Sequence, residues 1–116
     1  MQNFIKSKLQ TSIDLKTKVM NDGVLMETTE NIAKKIVDCY KNGGKVLWCG
    51  NGGSAADSQH LAAELSGRFY YDRAPLFSEA LHVNTSYITA VANDYSYDEI
   101  YARLVRAMCK KGDMLI

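Results

Sequence analysis

The chain has 116 residues, 47% of them apolar and 23% charged, with a formal net charge of +1. That length suits one modest domain with a real core. The charge balance, without a dense Lys/Arg block, argues against nucleic-acid binding by counterion release, and no apolar run approaches membrane-spanning length.

Residues 1–8 are polar and charged, which argues against a signal peptide. Cys39, Cys49 and Cys109 are odd in number and lack C-x-x-C spacing, a pattern that fits free thiols in a reducing cytoplasm. Cys49 is expected to act as a small buried hydrophobe rather than as a reactive thiol.

In chain order, residues 3–20 read as a helix, with Ile5, Leu9 and Ile13 on one stripe and Leu15 and Val19 beside it. Asn21-Asp22-Gly23 breaks it. Residues 24–42 read as a second helix with Leu25, Ile32, Ile36 and Tyr40 on its apolar face, ended by Asn42-Gly43-Gly44. Residues 45–49 form a short apolar run, a buried strand. A glycine-rich turn follows, then a helix over 54–66. Residues 67–75 are a polar loop with Arg68, Arg73 and the only proline, Pro75. Strand two is expected over 78–83, a short helix over 85–92 and a longer one over 97–110. Lys111-Gly112-Asp113 turns the chain into a third strand starting at Met114.

Strands alternating with helices imply parallel pairing through right-handed crossovers. The expectation is an open α/β fold: a parallel sheet with helices on both faces, preceded by N-terminal helices. Its ligand sites lie beyond the C-terminal strand ends. Without repeats or a Pro/Ser linker, residues 1–116 are read as a single domain. Because the sequence stops inside its third strand, it is expected to be the N-terminal part of a longer domain.

The chemistry concentrates after strand one. Gly50, Gly52 and Gly53 between a strand and a helix start make an anion cradle, where backbone N–H groups and the helix dipole face a phosphate. Asn51 and Ser54 add polar side chains suited to a sugar phosphate. Gly50, Gly52 and Ala55 also match G-x-G-x-x-A, but strand two ends in His82-Val83-Asn84 without the carboxylate that a dinucleotide site wants. Ser54 and Asp57 have capping-box spacing, with Asp in place of the usual Glu or Gln.

His60 and Glu64 stand four residues apart, so one helix face carries both. They suit a shared divalent metal or an acid/base pair, against the commoner reading of a surface His–Glu contact. Two donors do not make a zinc site, and further ligands would have to come from elsewhere. Arg68, past the helix end, suits a phosphate fork or plain helix-dipole complementarity. Asn93 and Asp94 are turn formers that also suit sugar hydroxyls. Tyr70, Tyr71, Tyr95, Tyr97 and Tyr101 mark either a tyrosine-rich interface or internal packing.

Cys49-Gly50-Asn51-Gly52-Gly53-Ser54, Gln59-His60, Glu64-Leu65-Ser66-Gly67-Arg68-Phe69 and Ala92-Asn93-Asp94 together resemble the phosphoheptose isomerases of the sugar isomerase (SIS) domain superfamily. The likeness covers essentially the whole chain. It implies a five-stranded, flavodoxin-like parallel sandwich, a homotetramer with active sites at subunit interfaces, and a cytoplasmic enzyme. It implies conversion of sedoheptulose 7-phosphate to D-glycero-D-manno-heptose 7-phosphate for lipopolysaccharide or capsule. By motif, Asn51, Gly52, Gly53, Ser54, Asn93 and Asp94 would contact substrate. His60 and Glu64 would bind zinc, and Glu64 would also face the sugar. The family continues into a Ser/Thr-rich phosphate loop and supplies a Gln and a His as further zinc ligands, none of which lie within these residues. The activity is therefore expected of the intact protein.

Three rivals remain. One is a non-catalytic relative that binds the replication initiator, against which Glu64 argues. Another is a sensor that binds a sugar phosphate without turnover. The third is a nicotinamide-dependent oxidoreductase, disfavoured by the missing carboxylate.

Overall fold

The computed structural model describes residues 1–116. They divide into two compact units, Met1–Lys35 and Ile36–Ile116. The first holds helix α1 (Gln2–Met20) and most of α2 (Gly23–Lys41). α1 has no buried residue, and Phe4, Ile5, Leu9 and Ile13 remain more than half exposed. The predicted break is an N-cap: the Asp22 carboxylate accepts from the Val24 and Leu25 amides at 3.0 and 3.1 Å.

In the second unit, α2 ends in a Schellman arrangement. The Gly44 amide donates to the Cys39 carbonyl and the Gly43 amide to that of Tyr40, with Gly43 at φ +75°. Three strands follow with helices between them: β1 (Val46–Trp48), α3 (Gly53–Ser66), β2 (Ser78–Ala80), α4 (Thr85–Asp94), a 3-10 turn (Tyr97–Glu99), α5 (Ile100–Met108) and β3 (Met114–Leu115). The sheet is parallel in the order β2-β1-β3. Val46 pairs with Ser78 on one side and Met114 on the other.

Alternation along β1 sorts the core. Val46 and Trp48 join Cys39, Ala62 and Ala80 in one cluster, with Ile36, Tyr40, Leu65 and Met114 against it. Leu47 projects to the opposite face and is also fully buried. The Trp48 indole donates to the Ser78 hydroxyl at 2.8 Å, satisfying two buried polar groups across the β1–β2 pair. No helix is long and apolar enough to cross a membrane.

The structure corrects several boundaries. The strand read over 45–49 is confined to Val46–Trp48, and that over 78–83 stops at Ala80. After the Leu81 amide donates to the Trp48 carbonyl, the chain turns so that Asn84 can cap α4 by accepting from the Tyr87 amide at 3.0 Å. The helix read over 97–110 opens as the 3-10 turn and ends at Met108, where Cys109 leaves with extended backbone. Asn93 and Asp94, read as following a helix, form the last turn of α4. Cys39 is buried, whereas Cys49, expected to be, is only half-buried.

Candidate active site

The glycine run lies at the C-terminal end of β1, as the fold requires. Asn51–Ser54 is a type II′ β-turn: Gly52 has φ +58° and ψ −123°, and the Ser54 amide donates to the Asn51 carbonyl at 3.1 Å. Only glycine takes that φ without strain. Gly50 is needed for a different reason, since a Cβ there would come within 2.8 Å of Ser54 backbone and side-chain atoms. Gly53 has open space around it.

The proposed capping box does not form. Gly52 is the N-cap of α3, with no side-chain cap, so Ser54 and Asp57 lie inside the helix. The turn does the capping with its own carbonyls, Asn51 accepting from Ser54 and Gly52 from Ala55. The Gly52 and Gly53 amides have no backbone acceptor, which leaves the strand–turn–helix junction able to donate to an anion.

Further along α3, His60 Nε2 stands 3.3 Å from Glu64 Oε1. His60 is largely exposed and Glu64 about two-thirds covered. Both line a cavity of about 490 Å³ with Leu61 and Leu65 from the same helix, Ile36, Trp48, and Phe69, Tyr70, Tyr71 and Arg73 from the loop after α3. The Arg73 guanidinium donates to the Glu64 backbone carbonyl at 3.0 Å, which ties this loop to the helix. Tyr70 has φ +62°, and the Tyr71 amide donates to the Phe69 carbonyl across it at 2.8 Å. A non-glycine residue in that region is strained, and such strain is typical of functional loops.

His and Glu are donor types that zinc accepts. These two already lie close together, but no third His, Cys, Asp or Glu of the chain joins them. The residues therefore fit part of a zinc site and do not complete one.

The remaining expected residues fall elsewhere. Arg68 is exposed beyond the end of α3 and does not line the cavity. Asn93 Nδ2 donates to Asp94 Oδ1 at 3.0 Å, and both are exposed. The tyrosines separate into groups. Tyr70 and Tyr71 flank the cavity, and the Arg103 guanidinium stacks over Tyr95 at 4.3 Å. Tyr97 and Tyr101 reach the glycine turn. Burial raises the Tyr101 phenol above its ordinary pKa, with neighbouring Tyr97 adding to the effect. Arg73, a loop residue with no role assigned from spacing, lines the cavity with its guanidinium held by the Ala74 and Glu64 backbone carbonyls.

The SIS domain family model matches residues 13–116. The chain is 50% identical over its full length to a phosphoheptose isomerase of Clostridium acetobutylicum, spanning 59% of that protein. It is 50% identical over 104 residues to one of Mycobacterium tuberculosis, covering 90% of this chain and 53% of that protein. Among solved structures, a phosphoheptose isomerase from Neisseria gonorrhoeae superposes with a TM-score of 0.88 at 39% identity, covering 98% of this chain and 58% of that one. One from Francisella tularensis gives 0.89 at 37%, covering 97% and 58%. The chain thus spans less than two-thirds of the length of these relatives.

Proposed function

The chain belongs to the SIS domain family, and on that premise we propose that the protein is a phosphoheptose isomerase. It would convert sedoheptulose 7-phosphate to D-glycero-D-manno-heptose 7-phosphate for bacterial lipopolysaccharide or capsule. The observation that carries this reading is the His60–Glu64 pair, 3.3 Å apart at a cavity also lined by Arg73. Its counterpart in sequence is the 50% identity to a phosphoheptose isomerase over all 116 residues.

Ketose–aldose isomerisation moves a proton between adjacent carbons through an enediol. It needs a base beside the carbon, an electrophile at the oxygen and an anchored phosphate. Glu64 takes the proton from one carbon and returns it to the next, and His60 orients the carboxylate. The turn at Asn51, Gly52, Gly53 and Ser54, with Asn93 and Asp94, would contribute donors and acceptors for the sugar phosphate, whereas Arg68, exposed and outside the cavity, has no such place in this chain alone. When bound, zinc would polarise the carbonyl; His60 and Glu64 are this chain's donors to it, with further ligands from outside these residues. Glu64 would be a weaker base while holding a metal, so its roles of ligand and base would compete.

We further propose a cytoplasmic homotetramer with active sites at subunit interfaces, acting on a small sugar phosphate, not nucleic acid or membrane. The exposed apolar stripe Phe4, Ile5, Leu9 and Ile13 on α1 supports association, because such a stripe is normally covered. The test is turnover of sedoheptulose 7-phosphate by the intact protein, before and after chelation. Tight binding without turnover, unaffected by chelation, would instead identify a SIS-domain binding protein.

A further inference from the structure

Two tyrosines far along the chain close on the glycine turn. The Tyr97 hydroxyl donates to Asn51 Oδ1 at 2.7 Å. The Tyr101 hydroxyl lies 2.6 Å from the Gly50 carbonyl and 3.3 Å from Asn51 Oδ1. A phenol has one proton to give. The shorter contact takes that of Tyr101, so Tyr101 ties the turn's backbone while Tyr97 ties its side chain.

This arrangement selects one of two faces of an amide. With Oδ1 engaged by the Tyr97 phenol, the Asn51 Nδ2 group keeps two N–H donors for a ligand. Rotated by half a turn, the same side chain would instead offer its carbonyl oxygen, which repels phosphate and hydroxyl lone pairs. Tyr97 also follows Asp94 by three residues, so the bond couples the turn after β1 to the segment just beyond α4.

We propose that Tyr97 and Tyr101 are positioning residues for substrate binding, holding Asn51 so that its Nδ2 donates to an oxygen of the sugar phosphate. This rests on the isomerase reading above and names how its anion turn is kept in register. Tyr97→Phe keeps the ring and removes only the donor.

The experiment measures KM and kcat for sedoheptulose 7-phosphate in the intact protein, together with hydrogen exchange of the Ser54, Ala55 and Ala56 amides, which donate to the turn's Asn51 and Gly52 carbonyls. Tyr97→Phe is expected to raise KM about five- to ten-fold, the effect of one lost hydrogen bond, with kcat changed far less. On an Asn51→Ala background it should change nothing further, because Tyr97 acts through Asn51. Tyr97→Phe with Tyr101→Phe should speed exchange across the turn. An unchanged KM, an equal rise on the Asn51→Ala background, or unchanged exchange in the double variant would overturn the proposal. If the unmodified protein does not turn over the sugar, the isomerase reading fails, and the exchange result alone decides whether the tyrosines hold the turn.

Discussion

Lys45 and Asp113 stand 68 residues apart and meet at the N-terminal edge of the sheet. The ammonium of Lys45 pairs with one carboxylate oxygen, and the other accepts the Lys45 amide at 3.0 Å. The Lys110 amide also donates to the carboxylate, at 2.7 Å. Asp113 thus fixes the start of β1 and the turn into β3 together.

The Lys45 side chain holds the Asp113 carboxyl below its usual range, helped by the Lys110 amide. A depressed folded pKa stabilises above the unfolded value, about 3.9, and that contribution disappears as pH falls through the lower folded value. Asp113→Asn should therefore lower Tm at pH 7. The gap to the unmodified protein should close as pH drops below about 4. Melting curves from pH 7 to 2 check this; a gap independent of pH would show that the carboxylate charge contributes nothing.

Glu64→Gln keeps the size of the side chain and removes its basicity. Losing a general base typically lowers kcat by about 10²–10⁴-fold, and that is the expectation for sedoheptulose 7-phosphate. Tm should barely move, since Glu64 borders an open cavity. Chelation of the unmodified protein should abolish turnover; full activity after chelation would leave the acid/base role and remove the metal.

Gly50→Ala and Gly53→Ala should differ sharply in stability. The first forces a Cβ to within 2.8 Å of Ser54, an overpacking that typically costs about 1–3 kcal/mol. The second meets open space on a helix's first residue and should be neutral or slightly stabilising. Urea midpoints of the two variants, compared at equal m-value, decide it; equal midpoints would show that Ser54 moves aside.

Ser78→Ala leaves the buried Trp48 indole N–H without an acceptor. An orphaned buried donor costs about 1–3 kcal/mol, and urea unfolding followed by Trp48 fluorescence reads it directly. A loss below about 0.5 kcal/mol would mean that the indole finds another partner.

What could be read from the sequence was local. The 45–49 apolar run before glycines gave a buried strand, and i, i+4 spacing placed His60 beside Glu64 because helix geometry alone dictates it. The C-terminal end of β2 and the cap of α3 differ from the sequence reading because a turn decides both: Asn84 draws the chain away from the sheet, and Gly52 begins the helix without side-chain help. Arg73 gained its place by folding back nine residues onto Glu64, and Tyr97 and Tyr101 through crossovers that bring residues 46 and 51 apart together. Spacing does not encode such meetings. The run of tyrosines was visible, but not which of them would turn inward.

The central position of β1 also has a consequence for the order of synthesis. The middle strand of the sheet is made first. Trp48 must wait 30 residues for Ser78, and Lys45 must wait 68 for Asp113. At roughly 5–20 residues per second on the ribosome, the later delay is on the order of 3–14 seconds. Through that interval Val46 and Leu47, which end with no exposed surface, lack the strand that will flank them on one side. The nascent chain therefore passes through a stage in which these two residues, fully buried in the end, are available to chaperones or to a neighbouring nascent chain.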